Sequence, residues 1–240
     1  MIDEENMQTT AMEKQRVSPT TGHPVDKNFW PTLHSAAMAQ MHELMNSLHT
    51  IAPKPGSLIY MEAKPLPYHW KGWQPVLLSS IDICTHLQIA RIYLTATYAS
   101  AIDFLNFIWE RFPFHITEVR THADPIFLNA VAMQSEHRFT SEAKRLGIFH
   151  SIVLDPMSQP VLSVVTKYFF GSTFEGNIKE PTEENVVAAL VNYLYFHNNH
   201  RSLASLGGMT PLQKLKSFEG FEGILAFDPY QQTDYASKQS

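Results

Sequence analysis

The chain holds a single cysteine, Cys84, in 240 residues, so no internal disulfide can form and a reducing compartment is the expected setting. No run approaches the roughly 20 apolar residues that a membrane span needs. The opening MIDEENMQTT lacks the basic start and apolar centre of a secretory signal. A cytoplasmic protein with no direct membrane insertion is expected. Positive charge is scarce too: Lys and Arg number 18 against 23 Asp and Glu, a net of −5. Proteins that grip nucleic-acid backbones need concentrated positive surface to neutralise phosphates. The densest basic stretch, SEAKRLGIFH, has only Lys144 and Arg145, with Glu142 beside them. The balance disfavours DNA as the main partner.

What is present suffices for a sizeable core, with 44% apolar and 12% aromatic residues. Residues 1–30 are polar and are expected to form a flexible tail. In FWPTLHSAAMAQMHELMNSLHT, Leu33, Ala37, Met41, Leu44, Met45 and Leu48 recur at helical spacing after Pro31, predicting a helix over 31–50. APKPG then breaks the chain. SLIYMEAKPL, QPVLLSSIDI and LQIARIYLTA read as three strands, spaced closely enough for antiparallel hairpins. YASAIDFLNFIWERFP reads as helix, ITEVRTHA as strand, AVAMQSEHRFTSEAKRLG as helix and FHSIVLD as strand. VLSVVTKYFFGSTFEG is ambiguous by period. PTEENVVAALVNYLYFHNNHR is a helix with Thr182 as N-cap and acids in its first turn. The order predicts an α/β domain over 55–218, a mixed sheet of about five strands flanked by helices. An apolar tail over 219–240 follows.

The run NYLYFHNNHRSLASLGGMTPLQKL resembles the end of the catalytic core in bacterial insertion-sequence transposases of the retroviral-integrase superfamily. The pattern there is Tyr-Asn, two residues, Arg-Pro-His, an apolar stretch, Leu-Gly and Thr-Pro. Asn198, Arg201, Leu206, Gly207, Thr210 and Pro211 stand in those places, while His197, Ser202 and Leu203 depart from it. PGSLIYMEAKPLP and LLSSIDICTHLQIARIYL are similar to the first three strands, with Asp82 at a position that is often Asp without being catalytic. KRLGIFHSIVLDPMSQP is similar to the approach to the last active-site helix, with Leu146, Gly147, Ile148 and Gln159 in register. The resemblance covers about Pro55 to Leu215 and implies a ribonuclease-H-like integrase core.

That resemblance implies phosphoryl transfer on DNA by two aspartates and a glutamate holding two Mg²⁺ ions. The three positions here are Glu62, His122 and Val165. Glu62 keeps a carboxylate one methylene further out. Imidazole is a poor Mg²⁺ ligand. Asp124 lies two residues past His122, roughly 6–7 Å along an extended strand, with Pro125 behind it. No acid lies within a helical turn of Val165; the nearest downstream is Glu175. Ala123, Asp124, Val161 and Leu162 replace the turn residues of the pattern. A degenerate site, with no enzyme activity, no cofactor and no metal, is the expectation. His122 with Glu62 as a one-metal site, or the paired histidines of HNNHRS as zinc ligands, are sharper readings of residues that more often serve hydrogen bonding.

About 20 helical residues before Pro53 are too few for the helix-turn-helix module such transposases carry. The expected role is therefore a non-catalytic adaptor or assembly subunit in a cytoplasmic bacterial complex, with other protein subunits as partners. A homodimer is compatible with it. A secretion machine is one setting, and no residue points to it in particular. Candidate contacts are Trp70, Trp73, Met41, Met45, Phe221, Phe227 and Tyr230. The alternative is a transposase-derived DNA-binding regulator using Lys144, Arg145, Lys167 and Arg201. A nuclease surviving on Glu62 and Asp124 is the third reading.

Overall fold

The computed structural model describes residues 52–128, 136–153 and 181–231. The helix expected over 31–50 with Met41 and Met45, the ambiguous run from Val161, and positions Val165 and Lys167 lie outside them.

The three expected strands form β1 (Ile59–Pro65), β2 (Val76–Asp82) and β3 (Gln88–Tyr93), paired antiparallel in sequence order. Helix α1 (Tyr98–Arg111) then crosses to β4 (Glu118–His122), which lies parallel to β1. Helix α2 (Arg138–Arg145) leads to β5 (Phe149–Val153), parallel to β4. The spatial order is β3-β2-β1-β4-β5. The mixed five-stranded sheet is the one the sequence predicts.

Side chains alternate between the faces of each strand. Ile59 and Met61 of β1, Leu78 of β2, Ile89 of β3 and Val119 of β4 meet Ala101, Phe104, Leu105 and Ile108 of α1 in the larger core. Thr97 caps α1, its side chain accepting from the Ser100 N–H. On the opposite face Leu77 and Ala90 pack against Val186, Leu190, Tyr193 and Leu194 of α3 (Glu183–Asn199), together with Leu66 and Trp70. Thr182 caps α3 as expected, accepting from the Asn185 N–H. A short last helix, α4 (Pro211–Lys216), begins in a capping box: Thr210 accepts from the Gln213 N–H and the Gln213 side chain accepts from the Thr210 N–H.

One expectation changes. The helix predicted over 130–147 begins, within the described residues, at Arg138. His137 takes the N-cap position, its Nδ1 accepting from the Phe139 N–H, and Glu136 before it is not helical. Residues 219–231, the described part of the apolar tail, run against the larger core. Phe227 is fully buried in the larger core and stacked on Phe112, with ring centroids 6.2 Å apart. Phe221 and Ile224 pack against the same core. Aromatic rings of this size bury too much apolar surface to remain in solvent when a core lies within reach.

Candidate functional site

The resemblance directs attention to the ends of β1 and β4. In the parallel register Met61 stands beside Thr121. Alternation then puts Glu62 and His122, each one residue on, together on the opposite face with Tyr60. Ser79 joins them, because it stands directly across from Glu62 in the β1–β2 pairing. Thus the fold brings together two of the three expected positions, Glu62 and His122; Val165 falls outside the described residues.

Glu62 and His122 are both half-buried. The Tyr60 ring is fully buried and meets the His122 ring edge-on, with centroids 5.4 Å apart. The Tyr60 hydroxyl, the Ser79 hydroxyl and His122 Nδ1 are buried without a hydrogen-bond partner. Burial, and then the Glu62 carboxylate, push the Tyr60 phenol far above its ordinary range, so it stays protonated. Burial pulls the His122 imidazole below its usual value against the opposing pull of Asp124, which favours the neutral ring. Asp124 itself starts the next turn. Its Oδ1 accepts from the Ile126 N–H at 3.0 Å and its carbonyl accepts from the N–H groups of Phe127 and Leu128. Among the described residues no three His, Cys, Asp or Glu side chains gather as metal ligands would.

Asp82 and the HNNHR motif serve the architecture. Asp82 is fully buried and accepts from the Gly56 N–H, the Thr85 N–H and the Thr85 hydroxyl. Burial nevertheless raises its carboxyl to about 6. His197, buried at the end of α3, bonds the His86 carbonyl through Nε2 at 3.1 Å, and burial lowers it to about 4. Asn198 binds both backbone groups of Gln88, while Asn199 binds both backbone groups of Phe227. The Arg201 guanidinium lies beside the Tyr193 phenol.

The expected contact residues divide. Trp70 and Trp73 exchange two backbone hydrogen bonds across Lys71 and Gly72, which have φ of 50° and 83°. Positive φ at both central residues is the geometry of the tightest hairpin turns. Trp73 is 58% exposed, but Trp70 is buried, and its indole N–H donates to the Pro181 carbonyl at 2.8 Å. Trp70 therefore belongs to the smaller core rather than to an open surface. Phe227 is likewise unavailable. Tyr230 is part-buried, its hydroxyl donating to the Ala90 carbonyl, and Phe221 sits half-buried. Of the cations, Lys144 pairs with Glu136 and Arg145 with Glu142. That pairing holds the Glu142 carboxyl down at about 2.

Sequence reasoning missed Tyr60 and Ser79. Tyr60 could have been found, because its i−2 spacing from Glu62 puts it on the same face of any strand. Ser79 requires the cross-strand register, which no local signal carries.

No family model matches the chain, and no curated protein matches it in sequence. Solved structures do. A chain of a simian T-cell lymphotropic virus intasome, solved in complex with the PP2A regulatory subunit B56 gamma, superposes over 69% of this chain with a TM-score of 0.54 and 17% identity. This chain spans 56% of that one. The HTLV-2 integrase catalytic core domain in complex with magnesium, in its trimeric form, superposes over 67% of this chain and 96% of its own, with a TM-score of 0.52 and 16% identity. Its dimeric form covers 99% of its own length at the same TM-score. With the strand order β3-β2-β1-β4-β5, this likeness establishes that the chain has the ribonuclease-H-like fold seen in retroviral integrase catalytic cores.

Proposed function

We propose that this integrase-fold protein is non-catalytic and works through contacts with other protein subunits. The observation that carries the reading is the packing of His122. A two-ion site for Mg²⁺ asks for hard oxygen ligands open to a phosphate. At the strand ends the described donors are one carboxylate, Glu62, and a desolvated imidazole set edge-on against a buried tyrosine. Asp124, the one nearby substitute, spends an oxygen on the Ile126 N–H. This donor set does not fit two Mg²⁺ ions.

The contact role is supported by large apolar side chains left in solvent: Trp73, Phe149, Phe196 and Leu225, the last at 93% exposure. The DNA reading is weakened because Lys144 and Arg145 each face an acid. The test has two arms. The purified chain is incubated with supercoiled and short duplex DNA in Mg²⁺ and in Mn²⁺; no cleavage above that of Glu62→Ala is expected. Mn²⁺-dependent cleavage that Glu62→Ala abolishes would overturn the reading. In the second arm, tagged chain is recovered from nuclease-treated lysate of its own cells. Stoichiometric protein partners that Trp73→Ala loses support the contact role. Recovery of the chain alone, with nucleic acid only when nuclease is omitted, would favour DNA binding instead.

A further inference from the structure

Helix α2 opens on an uncommon cap. Ser, Thr, Asp and Asn are the preferred N-caps, and their side-chain oxygens accept an N–H throughout the neutral range. Here His137 takes the place, its Nδ1 accepting from the Phe139 N–H at 3.2 Å. A ring nitrogen accepts only while it carries no proton. The cap therefore requires the neutral imidazole with its hydrogen on Nε2. A second proton removes the acceptor. It also sets a positive charge at the end of a helix whose dipole is itself positive there. Two losses thus follow from one protonation.

The other ionisable groups about α2 are engaged elsewhere. Glu136 pairs with Lys144 and accepts from the Ser141 hydroxyl, and the Lys144 contact holds its carboxyl below the usual range. Glu142 pairs with Arg145 and accepts from Asn106 of α1. Arg138 stacks on the Tyr98 ring at the start of α1, 4.9 Å from its centre. From β5 comes His150, which bridges Thr140 of α2 and Thr121 of β4. Burial, then His137, lowers it to about 4, so it stays neutral in mild acid. His137 is itself buried, and burial pulls it below 6.5. With its folded value depressed, the cap's contribution is present above 6.5 and lost as pH falls through the folded value.

We propose that His137 is a pH-sensitive cap whose protonation opens the first turn of α2. What the opening reaches is set by Phe139, two residues on. Its ring is fully buried, edge-on to Phe127 with centroids 5.2 Å apart and to His150 at 4.8 Å. Phe127 belongs to the turn that Asp124 starts just beyond His122. Mild acid therefore loosens the packing behind the end of β4, while the Thr140–His150–Thr121 bridge still holds α2 to the sheet.

Amide hydrogen exchange on the full chain, read by NMR from about pH 7.5 to about pH 5 and scaled by intrinsic rates, tests this. His137 holds the Phe139 N–H through Nδ1 and the Ser141 N–H through its carbonyl. Protection at these two amides is expected to fall about tenfold beyond any change at buried positions of α1 such as Phe104. His137→Asn keeps a side-chain acceptor that does not titrate, and should abolish this excess. Protection at Phe139 and Ser141 that falls no further than that of α1 overturns the proposal. So does an equal excess in His137→Asn. If His137→Asn fails to fold, the unmodified chain decides. The excess must then share its midpoint with the titration of the His137 ring resonances, and a midpoint elsewhere overturns the proposal.

Discussion

The backbone N–H of Gly56 donates to Oδ1 of Asp82 at 3.0 Å, tying the segment before β1 to the turn between β2 and β3. Gly56 has a φ of 77°, and a Cβ built on it would lie 2.0 Å from the His115 carbonyl oxygen. The chain therefore passes His115 too closely for any side chain. Gly56→Ala is expected to cost about 3 kcal/mol or more through backbone displacement and the strained conformation. Asp82→Ala leaves two N–H groups and a hydroxyl without their acceptor and should cost about as much. Urea denaturation of both variants checks this; a loss under about 1 kcal/mol would contradict it.

Acid stability follows from groups of opposite sign. His150 has a threonine hydroxyl at each ring nitrogen, Thr121 and Thr140, both at 2.9 Å. Burial, then His137, lowers it to about 4, and burial does the same for His197. A histidine with a depressed folded pKa contributes stability that is present above its unfolded value of 6.5 and is lost as pH falls toward 4. Asp82, raised to about 6 from 3.8, runs the other way: its contribution is full below the unfolded value and lost as pH rises through 6. Between about pH 4 and pH 6.5 the histidines should outweigh it, so the protein weakens in acid. The slope of stability against pH should steepen in Asp82→Asn and flatten in His150→Gln, read by denaturation at several pH values.

Asn198 acts as a donor and an acceptor at once, and the two halves separate by substitution. Asn198→Ala should cost about 2–4 kcal/mol, because both backbone groups of Gln88 are left buried and unpaired. Asn198→Asp keeps the acceptor for the Gln88 N–H but sets a carboxylate against the Gln88 carbonyl. Its deficit should shrink as pH is lowered and the carboxyl regains a donor. A deficit that does not change with pH would mean the carbonyl contact contributes little.

The two hairpin tryptophans should part in their effects. Trp70→Ala removes a ring from the smaller core and the bond to Pro181, for an expected loss of about 3–5 kcal/mol. Trp73→Ala, at an exposed position, should fall within about 0.5 kcal/mol of the unmodified chain. Equal losses at both positions would mean that Trp73 also packs.

The strands were legible because Ile59, Met61 and Ala63 alternate against Tyr60, Glu62 and Lys64, and because turn residues bound each run. Helix α3 announced its start through Thr182 and two acids. The start of α2 was not legible. An N-cap taken by His137 looks, in sequence, like one more helical position. The fate of the last segment was hidden for another reason: Phe227 finds its place only through Asn199 and Phe112, 28 and 115 residues away in the chain. At the candidate site, the substitutions at Glu62 and His122 were visible from the motif alone. That His122 would lie against Tyr60 depended on the β1–β4 register, which is settled by long-range pairing.

The turn held by Asp82 also encloses the chain's one thiol. Cys84 is buried, and burial, then the neighbouring Asp82 charge, push it up to about 12. It is thus shielded from reagents twice over, by access and by protonation. An electrophilic dye added to native protein will report only molecules in which the β2–β3 turn has opened. Its labelling rate becomes a clock for that local motion, and any cysteine engineered on the surface can be modified without competition from within.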